Sequence, residues 1–181
     1  MHRQYLDRLE EALESDRAMT AAQARSLYRV TAKAARAAGL HVITRTVKEH
    51  CNSNRNHTVR FITNDPKIAK YDGNRLRHLA GAVALRQQLD VHPSRWCSDA
   101  GAAAATFVPD AVWESGRGRV AVEYDAGSYS RETVFEKGRA FAEFEGGQVW
   151  GVASAGRLPF VREVLREAGV AGVRVVHAPW V

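Results

Sequence analysis

Pro109-Asp110-Ala111-Val112-Trp113, a turn carrying Gly116 and Gly118, and Arg119-Val120-Ala121-Val122-Glu123-Tyr124-Asp125 are the stretch on which the fold turns. Residues 106–113 are β-prone and broken by Pro109-Asp110, residues 119–125 read as a second strand, and the glycines of 114–118 suit a hairpin turn. Glu123 and Asp125 stand two apart on a strand and so face one side, and the hairpin sets Asp110 opposite them. Three carboxylates held that close repel one another unless a cation neutralises them. The spacing therefore predicts a Mg²⁺ or Mn²⁺ ion on Asp110, Glu123 and Asp125. Such an ion grips a phosphodiester oxygen and lowers the pKa of an attacking water. Lys137 and Arg139, on the next helix, are placed to stabilise transition-state charge. A plainer reading needs no metal: Asp110 caps a turn, and Glu123 pairs with Arg119 or Arg139 on an exposed sheet face.

On the N-terminal side of this stretch, Leu76, Leu79, Ala80, Val83, Ala84 and Leu89 form one face of a helix over 75–90. Residues 92–97 read as a short strand with Trp96. Helices are expected over 130–145 and 158–168, and strands over 148–153 and 172–177. Gly101 to Ala105 carries no signal. The order α-β-β-β-α-β-α-β implies an α/β domain at 75–181, a mixed sheet with helices packed on it. Trp96, Trp113, Trp150 and Trp180 suit core or rim positions better than base-stacking platforms. Residues 64–74, with Pro66 and Gly73, read as a linker.

Ahead of that linker the pattern is different. Residues 2–14 are an amphipathic helix with Tyr5, Leu6, Leu9, Ala12 and Leu13 on one face. Thr20 and Gln23 form a capping box that opens a short helix through Tyr28. Thr31 caps a second one over 32–38, which Gly39 stops. β-prone runs at 40–48 and 57–63 flank the turn cluster Asn52 to Asn56, a hairpin directly behind the second short helix. Residues 1–65 thus read as a winged helix-turn-helix, whose second short helix enters the major groove while the wing follows the backbone. The DNA contacts expected are Arg29, Lys33 and Arg36 around that helix, and Arg45, Lys48, Arg55 and Arg60 on the hairpin. The alanine-rich helix offers few long side chains to base edges. A structural or partner-binding module fits the same elements.

Charge follows this division. The chain has 181 residues and a formal net charge of +6, yet residues 17–86 hold 14 basic groups against Glu49, Asp65 and Asp72. Such a field attracts polyanions and makes binding salt-dependent, although a solvated basic face would carry the same charge. A hydrophobic content of 45% excludes a mostly disordered chain, and two cysteines exclude a disulfide-stapled scaffold. No stretch reaches the roughly 18 apolar residues of a membrane span, and the charged N-terminus does not read as a signal peptide. A cytoplasmic protein that does not enter membranes is expected. His41, His50, Cys51 and His57 match no paired zinc-ligand spacing, and Cys51 and Cys97 are expected as free thiols.

Pro109-Asp110 followed by Glu123-x-Asp125 resembles the PD-(D/E)xK nuclease superfamily, whose αβββαβ core has the order read from residues 75–153. The resemblance implies Asp110 and Glu123 as metal ligands. Asp125 stands where that pattern has lysine, and Lys137, from the next helix, is the substitute it implies. Pro109-Asp110-Ala111, then Glu123-Tyr124-Asp125-Ala126-Gly127-Ser128, then Lys137, with Leu76-Arg77-His78-Leu79 before them, more closely resembles the replication-relaxation proteins of plasmids and other mobile elements. These join a winged helix to a nuclease-like domain.

Two functions follow from this reading. One is a double-stranded DNA-binding protein of mobile-element replication or maintenance that cleaves DNA with Mg²⁺, using Asp110, Glu123, Asp125 and Lys137. The other is a non-catalytic DNA-binding regulator or protein-interaction module on a nuclease scaffold. An RNA-binding or purely protein-binding module is a third. Helix-turn-helix proteins often dimerise on paired half-sites, so a homodimer is open.

Overall fold

The computed structural model describes residues 2–48, 56–98 and 107–180. Helix α1 (His2–Asp16) buries Leu9, Ala12 and Leu13. A two-residue strand β1 (Met19–Thr20) leads into α2 (Ala21–Tyr28). The capping box forms as expected: the Gln23 amide donates to Thr20 Oγ1 at 3.0 Å, and the Thr20 amide to Gln23 Oε1 at 2.8 Å. The chain leaves α2 through Arg29, in the left-handed region at φ 57°, and Thr31 caps α3 (Ala32–Ala37). Strands β2 (His41–Lys48) and β3 (Asn56–Thr63) then pair antiparallel from His41↔Thr63 to Lys48↔Asn56. β1 adds to the other edge of β3, giving the order β1-β3-β2.

The segment expected as a linker is packed. Ile68, in a 3₁₀ turn at Ile68–Lys70, is buried, and Asp72 caps α4 (Gly73–Gln88) by accepting from the Arg75 amide at 2.8 Å. α4 carries the central core of Leu76, Leu79, Ala80, Ala82, Val83 and Leu85. It lies close against a five-stranded mixed sheet made of β4 (Trp96–Ser98), β5 (Ala111–Ser115), β6 (Gly118–Asp125), β7 (Gln148–Val152) and β8 (Arg174–His177), in that order. A Cβ on Gly81 would stand 2.3 Å from the Tyr124 ring, so only glycine permits this approach. β4, β5 and β6 are antiparallel; β6, β7 and β8 are parallel. The parallel strands are linked by α5 (Arg131–Ala140) and α6 (Leu158–Glu167). α5 stops five residues before the expected end, passing into a 3₁₀ turn at Phe141–Glu143.

Strand alternation divides the sheet between two cores. Val120, Val122 and Tyr124 pack with α4, whereas Ala121 packs with Val134, Phe141, Trp150, Val161 and Leu165 of the α5–α6 side. The α4 core also takes in Ala18, Val47 and Phe61 from the N-terminal half, and Trp180 stacks on Phe61 with centroids 6.1 Å apart. Arg86 of α4 grips Asp16 of α1 through two hydrogen bonds of 2.8 and 2.7 Å and also donates to Tyr28 Oη and Val91 O. α4 thus belongs to both halves, and packing continues across the expected boundary at 65–75. Trp96, Trp150 and Trp180 are buried and Trp113 half-buried, as core and rim residues. Among the described residues, Cys97 is a free, exposed thiol, and no helix is long and apolar enough to cross a membrane.

Candidate functional site

Asp110 immediately precedes β5, and β6 pairs beside it from Ala111↔Val122 onward. The register brings Asp110 to Tyr124, whose amide donates to Asp110 Oδ2 at 2.8 Å; His78 Nδ1 of α4 lies 3.1 Å from the same oxygen. Glu123 Oε1 accepts two hydrogen bonds of 2.5 Å, one from Tyr129 Oη and one from Lys137 Nζ on the second turn of α5. Asp125 Oδ1 accepts from the amides of Gly127 and Tyr129, at 2.7 and 3.3 Å. Its Oδ2 accepts from Arg157 Nε at 2.7 Å, and Arg157 also donates to the Tyr129 carbonyl. The structure therefore brings Asp110, Glu123, Asp125 and Lys137 into one region, and adds His78, Tyr129 and Arg157. Arg139, the second cation expected there, is exposed and lies over the Phe135 ring instead.

Burial sets the electrostatics. Glu123 and Asp125 have no exposed side-chain surface, against 14% for Lys137 and 13% for His78. Desolvation, reinforced by the Asp110 charge, pushes the Glu123 carboxyl up to about 7 despite Lys137 and Tyr129, which pull it down. Burial alone would lower His78, but the Asp110 carboxylate and, more weakly, Glu123 outweigh it and raise its pKa above the usual imidazole value. Burial and the charges of Glu123 and Asp110 also raise Tyr129, which stays a protonated donor.

The residues expected on DNA separate into two groups. Arg29, Lys33, Arg36, Lys48 and Arg60 are exposed. Lys33 and Arg36 are three apart on α3, opposite buried Ala35, and so share its outer face. Arg45 is different. It lies on the inward row of β2 with Ile43 and Val47, and donates to the carbonyls of Ala69, Tyr71 and Thr44. Arg55, with His50 and Cys51 of the rejected zinc set, lies outside the described residues.

Residues 2–156 match the replication-relaxation family. The chain belongs to that family. No curated protein and no solved structure shows a significant match to it. The matched span takes in this replication-relaxation protein's cationic face and its carboxylate region, and ends one residue before Arg157.

In favour of an ion stands Glu123 Oε2, a buried oxygen without a hydrogen-bond partner among the described residues. Against it, Asp125 is committed to Arg157 and the 127–129 loop, Glu123 Oε1 to Lys137 and Tyr129, and Asp110 Oδ2 to His78 and Tyr124. Among the described residues, no group of three or more His, Cys, Asp or Glu side chains is arranged to hold a metal. As the side chains stand, the chain's own donors engage all three carboxylates and leave Glu123 Oε2 as the oxygen open to an ion.

Tyr129 and Arg157 were not legible as site residues. Tyr129 follows the Glu-x-Asp stretch closely enough to be suspected, but Arg157 is 32 residues from Asp125 and reaches it only through β-sheet topology.

Proposed function

We propose that this replication-relaxation protein binds double-stranded DNA through residues 1–65, acting as a winged helix-turn-helix in replication or maintenance of a plasmid or other mobile element. The observation that carries this reading is the exposed cationic surface of Arg29, Lys33 and Arg36, beside a hairpin presenting Lys48 and Arg60. Beyond Val42 and Ile62, which pack into the N-terminal core, the same row of that hairpin presents Thr44, Thr46, Asn56 and Thr58, suited to hydrogen-bonding phosphates. α3 has six residues, four of them alanine. Its contacts are therefore to phosphates more than base edges, which gives strong salt dependence and modest sequence discrimination. The test is Lys33→Ala with Arg36→Ala: duplex affinity falls at low salt and the salt dependence flattens. Unchanged affinity across a salt titration, or preference for RNA over duplex DNA, contradicts the reading. Half-site reading by a homodimer is checked by the stoichiometry of that complex.

The second half supports a PD-(D/E)xK-like scaffold by its element order and by the meeting of Asp110, Glu123 and Lys137. Glu123 Oε2, which has no hydrogen-bond partner among the described residues, favours a second reading, Mg²⁺- or Mn²⁺-dependent cleavage. Plasmid nicking that is lost in Asp110→Asn and Glu123→Gln would support it. No cleavage with either metal favours the binding protein.

A further inference from the structure

We infer that the Asp110–Glu123–Asp125 cluster is self-neutralised: His78, Lys137 and Arg157 take the place that a divalent cation would fill, and the cluster serves as a polar knot in the scaffold.

Each carboxylate has its own cationic partner. Asp110 faces His78 at 3.1 Å, Glu123 faces Lys137 at 2.5 Å, and Asp125 faces Arg157 at 2.7 Å. Each carboxylate thus meets a basic side chain of the chain itself, so the repulsion that argues for a metal is relieved from within. The geometry also opposes entry of an ion. Mg²⁺ binds carboxylate oxygen at about 2.1 Å and keeps several waters. Lys137 Nζ already occupies that position on Glu123 Oε1, and the buried Glu123 leaves little room for hydration. Tyr129 touches all three pairs: its hydroxyl is bonded to Glu123, its ring lies 4.9 Å from Lys137 Nζ and 5.9 Å from the His78 ring, and its backbone is held by Asp125 and Arg157.

The knot ties α4, the start of β5, the end of β6, α5 and the segment before α6 at one point. α4 is also the helix that Arg86 fastens to α1. The cluster therefore fixes the helix on which the DNA-binding half is seated. Removing one partner of a buried ion pair leaves an uncompensated charge, which destabilises far more than loss of a surface pair.

The test uses the full chain, stripped of metal, with Mn²⁺ as the probe. Electron paramagnetic resonance titration of the wild type is expected to show no saturable Mn²⁺ site at millimolar metal. Thermal unfolding in EDTA at pH 8 is expected to fall by roughly 5 °C or more in Lys137→Met, and to recover most of that loss when Glu123→Gln is added. One Mn²⁺ per chain, lost in Asp110→Asn, overturns the inference. So does a Lys137→Met melting temperature equal to that of the wild type. Should Lys137→Met fail to fold, the wild-type Mn²⁺ titration decides alone.

Discussion

The two halves of the chain both concentrate charge, and they dispose of it in opposite ways. Around α3 and the hairpin, Arg29, Lys33, Arg36, Lys48 and Arg60 stand in solvent. Around β6, Glu123 and Asp125 are fully buried and bonded to Lys137 and Arg157. Exposed charge keeps its field available to a partner at a distance, and salt screens it. Buried charge is costly to leave unpaired, so its partners are held by the fold and its field is cancelled locally. The same contrast recurs within the cationic half, where Arg45 is turned inward onto the carbonyls of Ala69 and Tyr71. Residue type alone does not assign a charge to binding or to structure; burial does.

The largest effect is expected at the buried pair that joins the halves. Arg86→Ala is expected to cost about 3–5 kcal/mol in denaturant unfolding, because Asp16 is then buried without its partner. Replacing both, as Arg86→Met with Asp16→Leu, is expected to cost much less. An equal loss in the two cases would show that packing, not uncompensated charge, sets the penalty.

A second effect is pH-dependent. Glu123 and His78 both have folded pKa values raised above their unfolded ones, so the folded state holds these protons more tightly. Their contribution to stability is fully present at low pH and is lost as pH rises: for Glu123 between 4.5 and about 7, for His78 from 6.5 to above it. Melting temperatures of Glu123→Gln should fall less steeply than those of the wild type across that interval. Parallel curves would remove Glu123 as the source.

On the exposed side, Arg29→Ala with Lys33→Ala and Arg36→Ala should leave unfolding within roughly 0.5 kcal/mol of the wild type. The slope of log affinity against log salt should drop by up to about 3 if all three touch phosphates. Smallest of all, breaking the Glu114–Arg119 pair, more than half exposed on both sides, should cost no more than about 1 kcal/mol.

Much of the architecture could be read from local signals. The Thr20–Gln23 box, the alternation of Arg119 to Asp125 and the 2–14 helix face each carry their own physical cause, and each formed. β1 escaped because two residues have no periodicity, and it exists only because β3 offers an edge. The 64–74 stretch has linker composition, yet Ile68 and the Arg45 clamp pull it into the core. Arg45 could have been placed correctly, since Ile43 and Val47 mark its row as the inward one. In the carboxylate region, the spacing of Glu123 and Asp125 and the hairpin position of Asp110 were local facts. Their neutralisation was not: His78 comes from α4 and Arg157 from beyond β7, contacts that only the sheet order creates.

The most direct measurement is a salt titration of duplex affinity in EDTA, comparing wild type, Arg29→Ala/Lys33→Ala/Arg36→Ala and Asp110→Asn/Glu123→Gln. Duplex binding without divalent metal is expected, with a salt slope shallower in the first variant and unchanged in the second. Binding that requires Mg²⁺, or a slope altered only when the carboxylates are removed, would contradict the assignment of DNA to the exposed cations.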